Sequence, residues 1–336
     1  MPRQSRIDYP GALHHIIVRG IERRNIFSGK KDKQLFIKRL GTVLTDTGTN
    51  CFAYALMDNH FHLLLQTGVN SISRVMQSLL TGYAVNYNNR KNRTGKLYQN
   101  RFKSILCDKE EYLLQLIRYI HLNPIRVGLV KTVSELDRSP WTGHSVIMGK
   151  RHTDWLDTEE VLINFGETER KARKAYREFV KAGLTEPEET DLSGGGLVRS
   201  IGGAWEALKA AGKGKRPLAD ERILGGGEFV EKVLKEDEEL EARASKLKRE
   251  GWDFTKVLSY AAQAVGVEPE ELMVRGRSNK RSQGRALLCK WMVDDLKEVQ
   301  IEVAKQLGIK RPSVSALVQK GRKIEKELGI GLSEKS

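Results

Sequence analysis

Residues 50–67, NCFAYALMDNHFHLLLQT, constrain the fold more than any other stretch of the chain. Two runs of apolar, β-favouring residues flank Asp58 and Asn59, and that pair is turn chemistry. The segment therefore predicts an antiparallel hairpin, with one strand over 50–57 and the next starting at His60. The second strand carries an anomaly, because His60 and His62 bracket Phe61 in an otherwise apolar run. Side chains alternate faces along a strand, so the two imidazoles share one face while Phe61 and Leu63 take the other.

The elements around the hairpin follow from periodicity. ALHHIIVRG (12–20) predicts a first strand, and Leu35, Phe36, Leu40 and Val43 stand at helical spacing in a helix of about four turns from Asp32. Beyond the hairpin, Ser71 caps a helix carrying Ile72, Val75, Met76, Leu79 and Leu80. It runs into YNNRKNRTGKLYQNR (87–101), a basic loop with interleaved aromatics. FKSILC (102–107) reads as a fourth strand, and KEEYLLQLIRYIHLN (109–123) as a helix that Pro124 ends. The order strand, helix, hairpin, helix, strand, helix gives an α+β class with an antiparallel sheet covered by helices. The first domain is expected over 1–150. Residues 151–230 read as a connector of short helices with SGGG (193–196), GKGK (212–215) and GGG (225–227), and 231–330 as an all-α region. None of these glycines completes a phosphate loop, which argues against nucleotide hydrolysis.

Charge narrows the partner. The formal net charge is +15 and the pI about 9.6. Residues 1–150 hold 23 Lys and Arg against 10 Asp and Glu, whereas 151–336 hold 35 against 33. A second basic concentration, 14 basic against 5 acidic residues, runs from Arg275 to Lys326. Two basic patches separated by an acidic stretch predict two nucleic-acid contacts. The polar start and the lack of a long apolar run predict a cytoplasmic protein with no membrane partner. Cys51, Cys107 and Cys289 are far apart, so they are expected reduced, mostly buried and outside any zinc site.

An H-x-H pair on a strand is either a metal half-site or two partly exposed histidines. A third ligand is available in Asn123, which stands four residues after Tyr119 and hence on the same helical face. Two imidazoles and an amide oxygen would leave positions open for phosphate oxygens and water, as Mg2+ or Mn2+ prefers. Tyr119 also fits a plain core aromatic among Leu116, Ile117 and Ile120, and Asn123 before Pro124 a helix stop.

MDNHFHLLL, GKLYQNRFKS and YLLQLIRYIHLNPIRVGLV, in this order, closely resemble the REP-associated tyrosine transposases, a branch of the single-tyrosine HUH endonucleases. The resemblance covers about residues 7–150. It implies a ferredoxin-like core that cuts single-stranded DNA beside a REP-like hairpin. It makes Tyr119 the nucleophile and His60, His62 and Asn123 the ligands of Mg2+ or Mn2+. Insertion-sequence relatives often carry glutamine where this chain has Asn123. Attack by Tyr119 would leave a 5′-phosphotyrosyl link and a free 3′-OH, an exchange of esters that another 3′-OH reverses without ATP. Arg90, Lys91, Arg93, Lys96, Tyr98, Arg101 and Lys103 are the expected DNA contacts of the basic loop and following strand. Tyr83 and Tyr87 are expected to stack on bases, Tyr112 is a fallback nucleophile, and His121 bonds locally or meets DNA. The enzyme would act as a monomer or a homodimer. Two other classes fit the same charge: a DNA-binding regulator with a non-cutting core, and an RNA-hairpin binder.

EVQIEVAKQLGIKRPSVSALVQKGRKI (298–324) has helix-turn-helix spacing, with Ala304 at the helix contact, Gly308 in the turn, and Val314 and Leu317 packing the second helix. Lys310, Arg311, Ser313 and Ser315 then stand where such motifs meet base edges of duplex DNA. With VRGRSNKRSQGRALLCKWM (274–292) before it, the region resembles the DNA-binding domain of the replication initiator DnaA.

Overall fold

The computed structural model describes residues 6–68, 70–185, 220, 222–274 and 279–332. The chain divides into two compact units, Met1–Glu231 and Lys232–Ser336. SGGG, GKGK and Arg275–Ser278 lie outside the described residues.

The first unit is α+β. Strands β1 (Leu13–Arg19), β2 (Asn50–Leu56), β3 (His60–Gln66) and β4 (Lys103–Cys107) alternate with helices α1 (Lys30–Thr47), α2 (Ile72–Lys91) and α3 (Lys109–Arg126). The sheet order is β2-β3-β1-β4-β5, the first four strands pairing antiparallel. The fifth strand, β5 (Ile223–Leu224), joins parallel to β4. Four strands were expected, and β5 comes from the segment read as a connector. At two residues it is too short to carry a period.

The alternation along β3 sorts the layers. Phe61 packs on Phe36 of α1, ring centroids 4.7 Å apart, and Phe36 meets Tyr83 of α2 at 5.2 Å. His62 faces the other way and meets Tyr119 of α3 at 5.9 Å. Helices thus cover both faces, α1 and α2 on the Phe61 side and α3 on the histidine side. This explains why HFHLLL reads as a continuous buried run rather than a half-exposed strand.

Two ion pairs tie the helices down. Asp32, 2% exposed, accepts from Ser28 N at 2.9 Å and from Arg90 Nη1 at 2.6 Å, joining α1 to α2. Lys33 pairs with Asp58 at 2.8 Å across the hairpin turn. Helix α3 does not end at Asn123. Pro124 sits in its last turn, leaving only the Ile120 carbonyl without its helical donor, and the helix stops at Arg126.

Three short helices, α4 (Val133–Leu136), α5 (His144–Ile147) and α6 (Glu159–Leu162), lead to α7 (Glu169–Ala182). Ala172, Tyr176 and Val180 form the buried stripe of α7 at spacings of four. All three belong to the same core as the sheet, so 151–182 is built into the first unit.

The second unit is helical. It contains most of α8 (Gly227–Arg249), then α9 (Phe254–Val265), α10 (Pro269–Met273), α11 (Asn279–Lys290), α12 (Gln300–Gln306) and α13 (Arg311–Leu328). Its core holds Trp252, Leu287, Trp291, Val303 and Val314. Gly321 lets α13 lie against α11, since a Cβ there would run into the Ala286 carbonyl oxygen. Lys290 is buried but paired with Asp295 at 2.8 Å and Glu325 at 2.6 Å. All three cysteines are buried and none is in a disulfide, and burial pushes the Cys289 thiol up to about 12. No described helix is long and apolar enough to cross a membrane.

Phe36→Ala removes the ring that backs the histidine strand and is expected to cost the first unit about 3–5 kcal/mol. Urea unfolding followed by circular dichroism measures this; a cost near that of a surface change would contradict the packing described.

Candidate functional site

Strand pairing brings three histidines together rather than two. His60 stands opposite Arg19 and His62 opposite Ile17, so His15, Ile17 and Arg19 of β1 share the face of the histidine pair. His15 is fully buried and its ring stacks on that of His62, centroids 5.2 Å apart and planes 26° from parallel. Nε2 of His15 lies 2.9 Å from Nδ1 of His62. His60 uses its own Nδ1 at 2.6 Å from Oδ1 of Asn59, whose Nδ2 donates to the Arg23 carbonyl at 3.1 Å.

These bonds set the tautomers. Oδ1 of Asn59 only accepts, so His60 carries its proton on Nδ1 and keeps the Nε2 lone pair free. His62 Nδ1 and His15 Nε2 share one hydrogen bond in which either ring can donate, and with His62 as the donor it has the same tautomer as His60. Outer partners that hold a histidine proton on one nitrogen and free the other are the usual support of a ligating imidazole.

Helix α3 supplies the other groups. The Tyr119 ring meets both His15 and His62 edge-on, each at 5.9 Å. One turn on, Asn123 is 8% exposed and donates from Nδ2 to the Tyr119 carbonyl at 2.9 Å, which leaves its Oδ1 as an acceptor. The Arg126 guanidinium carbon lies 5.4 Å from the Tyr119 ring centroid. Two Nε2 lone pairs and one amide oxygen suit a divalent cation. Among the described residues no group of three His, Cys, Asp or Glu is arranged as a metal cluster, so such a site depends on the asparagine.

Burial keeps the imidazoles neutral. Desolvation, and after it the charge of Arg19, lowers His60 to about 4. His62 is pushed well below the usual histidine range by burial, with His15, His60 and Arg19 acting in the same direction. Both are therefore unprotonated near neutral pH, the state a metal ligand needs.

The remaining expected residues divide. Arg90 is held by Asp32 and Asn86, and Arg93 reaches Asn88 at 3.4 Å, so both brace α2 and its C-terminal turn. Lys91 lies 4.0 Å from Asp32. Tyr83 and Tyr87 do not stack on bases. Both are buried, their hydroxyls bonded to the Ile26 carbonyl at 2.8 Å and to Ser28 Oγ at 2.6 Å. Tyr98 packs half-buried on the core. Lys96, Arg101 and Lys103 are exposed, and Lys103, opposite Ile17, shares the histidine face. His62 meets the ring of Tyr119 and of no other tyrosine among the described residues, while the fallback Tyr112 is buried on α3. His121 does not reach solvent: it is fully buried, with Nδ1 2.7 Å from the Tyr176 hydroxyl. His144 approaches the same hydroxyl at 3.2 Å and bonds Asp137 at 2.9 Å, so this network fastens α3 to α7. In the second unit, Lys310 and Ser313 are exposed at the start of α13, and Ser315 donates to Gln300 at 2.7 Å. The Arg311 side chain lies outside the described residues.

Sequence reasoning missed His15, Asn59 and Arg126. The alternation of LHHIIVR marks His15 as a strand residue, but only the register of β1 on β3 places it beside His62.

The depressed histidines make stability pH-dependent. Below about 6.5 the unfolded chain takes up protons that the folded sites refuse, so stability is complete above that pH and is lost as pH falls toward 4. The urea midpoint, measured in a chelator, is expected to fall from pH 7 to pH 5, with a shallower fall in His62→Gln and in His121→Gln. An unchanged slope in both would show that these histidines titrate normally.

Comparison with known proteins finds a likeness in the first unit. Residues 9–123 match the family model described as Transposase IS200 like, which spans β1 through the Tyr119 and Asn123 turn of α3. No curated protein matches the chain. Among solved structures, the REP-associated tyrosine transposase bound to a REP hairpin aligns at 15% identity and a TM-score of 0.38, covering 47% of this chain and 96% of that one. The likeness to the IS200-like transposases therefore lies within the first unit, over residues 9–123 of the 336.

Proposed function

We propose that the first unit is a metal-dependent nickase and strand transferase of single-stranded DNA. The observation that carries this reading is that His60 and His62 share the sheet face covered by α3, where the Tyr119 ring meets that of His62 and Asn123, one turn on, keeps its Oδ1 as an acceptor. The antiparallel order β2-β3-β1-β4, reached through strand, helix, hairpin, helix and strand, supports a ferredoxin-like core.

In this mechanism Tyr119 Oη attacks the scissile phosphorus in line with the 3′ oxygen. The Oη–P bond forms, the P–O3′ bond breaks, the phenol proton passes to solvent, and the 3′ oxygen leaves to become a hydroxyl. A divalent ion, Mg2+ or Mn2+, held by His60, His62 and Asn123 supplies charge stabilisation for the phosphate and the leaving oxygen. Asn59 holds the proton of His60 on Nδ1, and the bonds from His15 and Asn59 hold both rings in place, which reduces the cost of reorienting them. A phosphotyrosine conserves the ester energy, so attack by another 3′-OH rejoins strands without a nucleotide cofactor. The exposed Lys96, Arg101 and Lys103 are suited to the phosphates of a REP-like hairpin and its unpaired flank, and all three lie in the unit that carries the site.

The second unit is proposed to read duplex DNA as a helix-turn-helix. Helices α12 and α13 are joined through Gly308 at φ +62°, with Ala304 and Val314 buried between them and Lys310 and Ser313 exposed. One chain, as a monomer or within a homodimer, would then engage both a paired stem and a single strand.

Incubation with hairpin oligonucleotides and Mn2+ or Mg2+, resolved on denaturing gels, is expected to give a covalent protein–DNA adduct. Tyr119→Phe should abolish it and His62→Ala should reduce it by about 1,000-fold or more. Hairpin binding without any adduct would favour a regulator, and an adduct surviving Tyr119→Phe would exclude this tyrosine.

A further inference from the structure

Arg126 is unexplained by packing alone. It ends α3, seven residues after Tyr119, and its guanidinium lies over the tyrosine ring. Its Nη1 is buried and has no hydrogen-bond partner among the described residues. A buried charged donor left unpaired costs more than a neutral one, at least about 1–3 kcal/mol, and folded proteins keep very few of them. Attraction to a π face offsets only part of that cost and occupies no N–H.

The surroundings point to an anion as the missing partner. Among the described residues no carboxylate pairs with Arg126: the groups that meet Tyr119 are imidazoles and the Asn123 amide, and the strand position opposite His60 holds another cation, Arg19. A planar guanidinium fork matches two oxygens of a phosphodiester, and a lysine in its place would not.

We infer that Arg126 grips the two non-bridging oxygens of the scissile phosphate and holds the phosphorus in front of Tyr119. This rests on the nickase reading and assigns a further catalytic residue to that site. As the Oη–P bond forms and the P–O3′ bond breaks, negative charge gathers on those oxygens. Arg126 neutralises it while keeping all its own protons, and it does so from a position already desolvated, where such contacts are strongest.

The test replaces one non-bridging oxygen of the scissile linkage by methyl, giving a neutral methylphosphonate. On the native hairpin oligonucleotide with Mn2+, Arg126→Ala is expected to form adduct about 100- to 1,000-fold more slowly than wild type, with Arg126→Lys recovering little. On the methylphosphonate the two proteins should differ by less than about 10-fold, because the charge that Arg126 answers is gone. An equal penalty on both substrates would make the arginine a structural support of α3 and overturn the inference, as would full activity of Arg126→Ala. Binding of both oligonucleotides by fluorescence anisotropy separates the two proposals. If wild type forms no adduct, the nickase reading fails; preference for the charged linkage that disappears in Arg126→Ala still supports the phosphate grip, and equal binding of both linkages by wild type overturns it.

Discussion

The alternation of one strand governs the molecule. β3 is buried on both faces, so each residue commits either to the aromatic layer under α1 and α2 or to the site under α3. Phe61 and His62 are neighbours in sequence and lie on opposite sides of the sheet. A slip of one residue in the pairing with β1 would exchange them, putting imidazoles against Phe36 and a phenyl ring against Tyr119. Hydrophobic burial on the Phe61 side therefore fixes the position of the polar groups on the other.

That polar side is a network of neutral groups rather than of balanced charges. A buried carboxylate next to His62 would raise its proton affinity and compete with a metal; His15 stands in that place, and its influence lowers the proton affinity of His62 instead. The same burial that lowers the two imidazoles raises the strength of any cation near Tyr119, since field lines there run through protein rather than water. The buried Nη1 of Arg126 thus sits in a medium that favours an anion over solvent.

Much of this was legible locally. The histidine pair stands in one short motif and Tyr119 and Asn123 in another, and period two on β3 and a spacing of four on α3 already assign each to a face. The α+β class and its antiparallel sheet followed from the succession of elements. What stayed hidden depends on contacts distant in sequence. His15 meets His62 across 47 residues, Asp32 captures Arg90 across 58, and Tyr176 meets His121 across 55. Composition made Arg90 and Tyr87 resemble DNA contacts because a basic, aromatic stretch looks alike whether it faces solvent or braces a helix. Only the buried Asp32 and Ser28 Oγ distinguish the two.

His60 and His62 share their sheet face with Tyr119 of the same chain, and α3 is packed firmly into its own unit. Leu116, Ile117, Ile120 and Leu122 are buried in the core of their own unit, and His121 is fastened to Tyr176 of α7. Lending α3 to a second copy would expose those four aliphatic side chains, each costing about 1.5–3 kcal/mol, and break a buried bond unless the partner restored every contact. The anchor also reaches the chemistry. His121 and Tyr119 are two residues apart on a rigid helix, so the network of Asp137, His144 and Tyr176 fixes the rotation of α3 and with it the direction in which the tyrosine is presented. A nucleophile that must meet phosphorus in line gains from being held on both sides, by the histidines in front and by α7 behind.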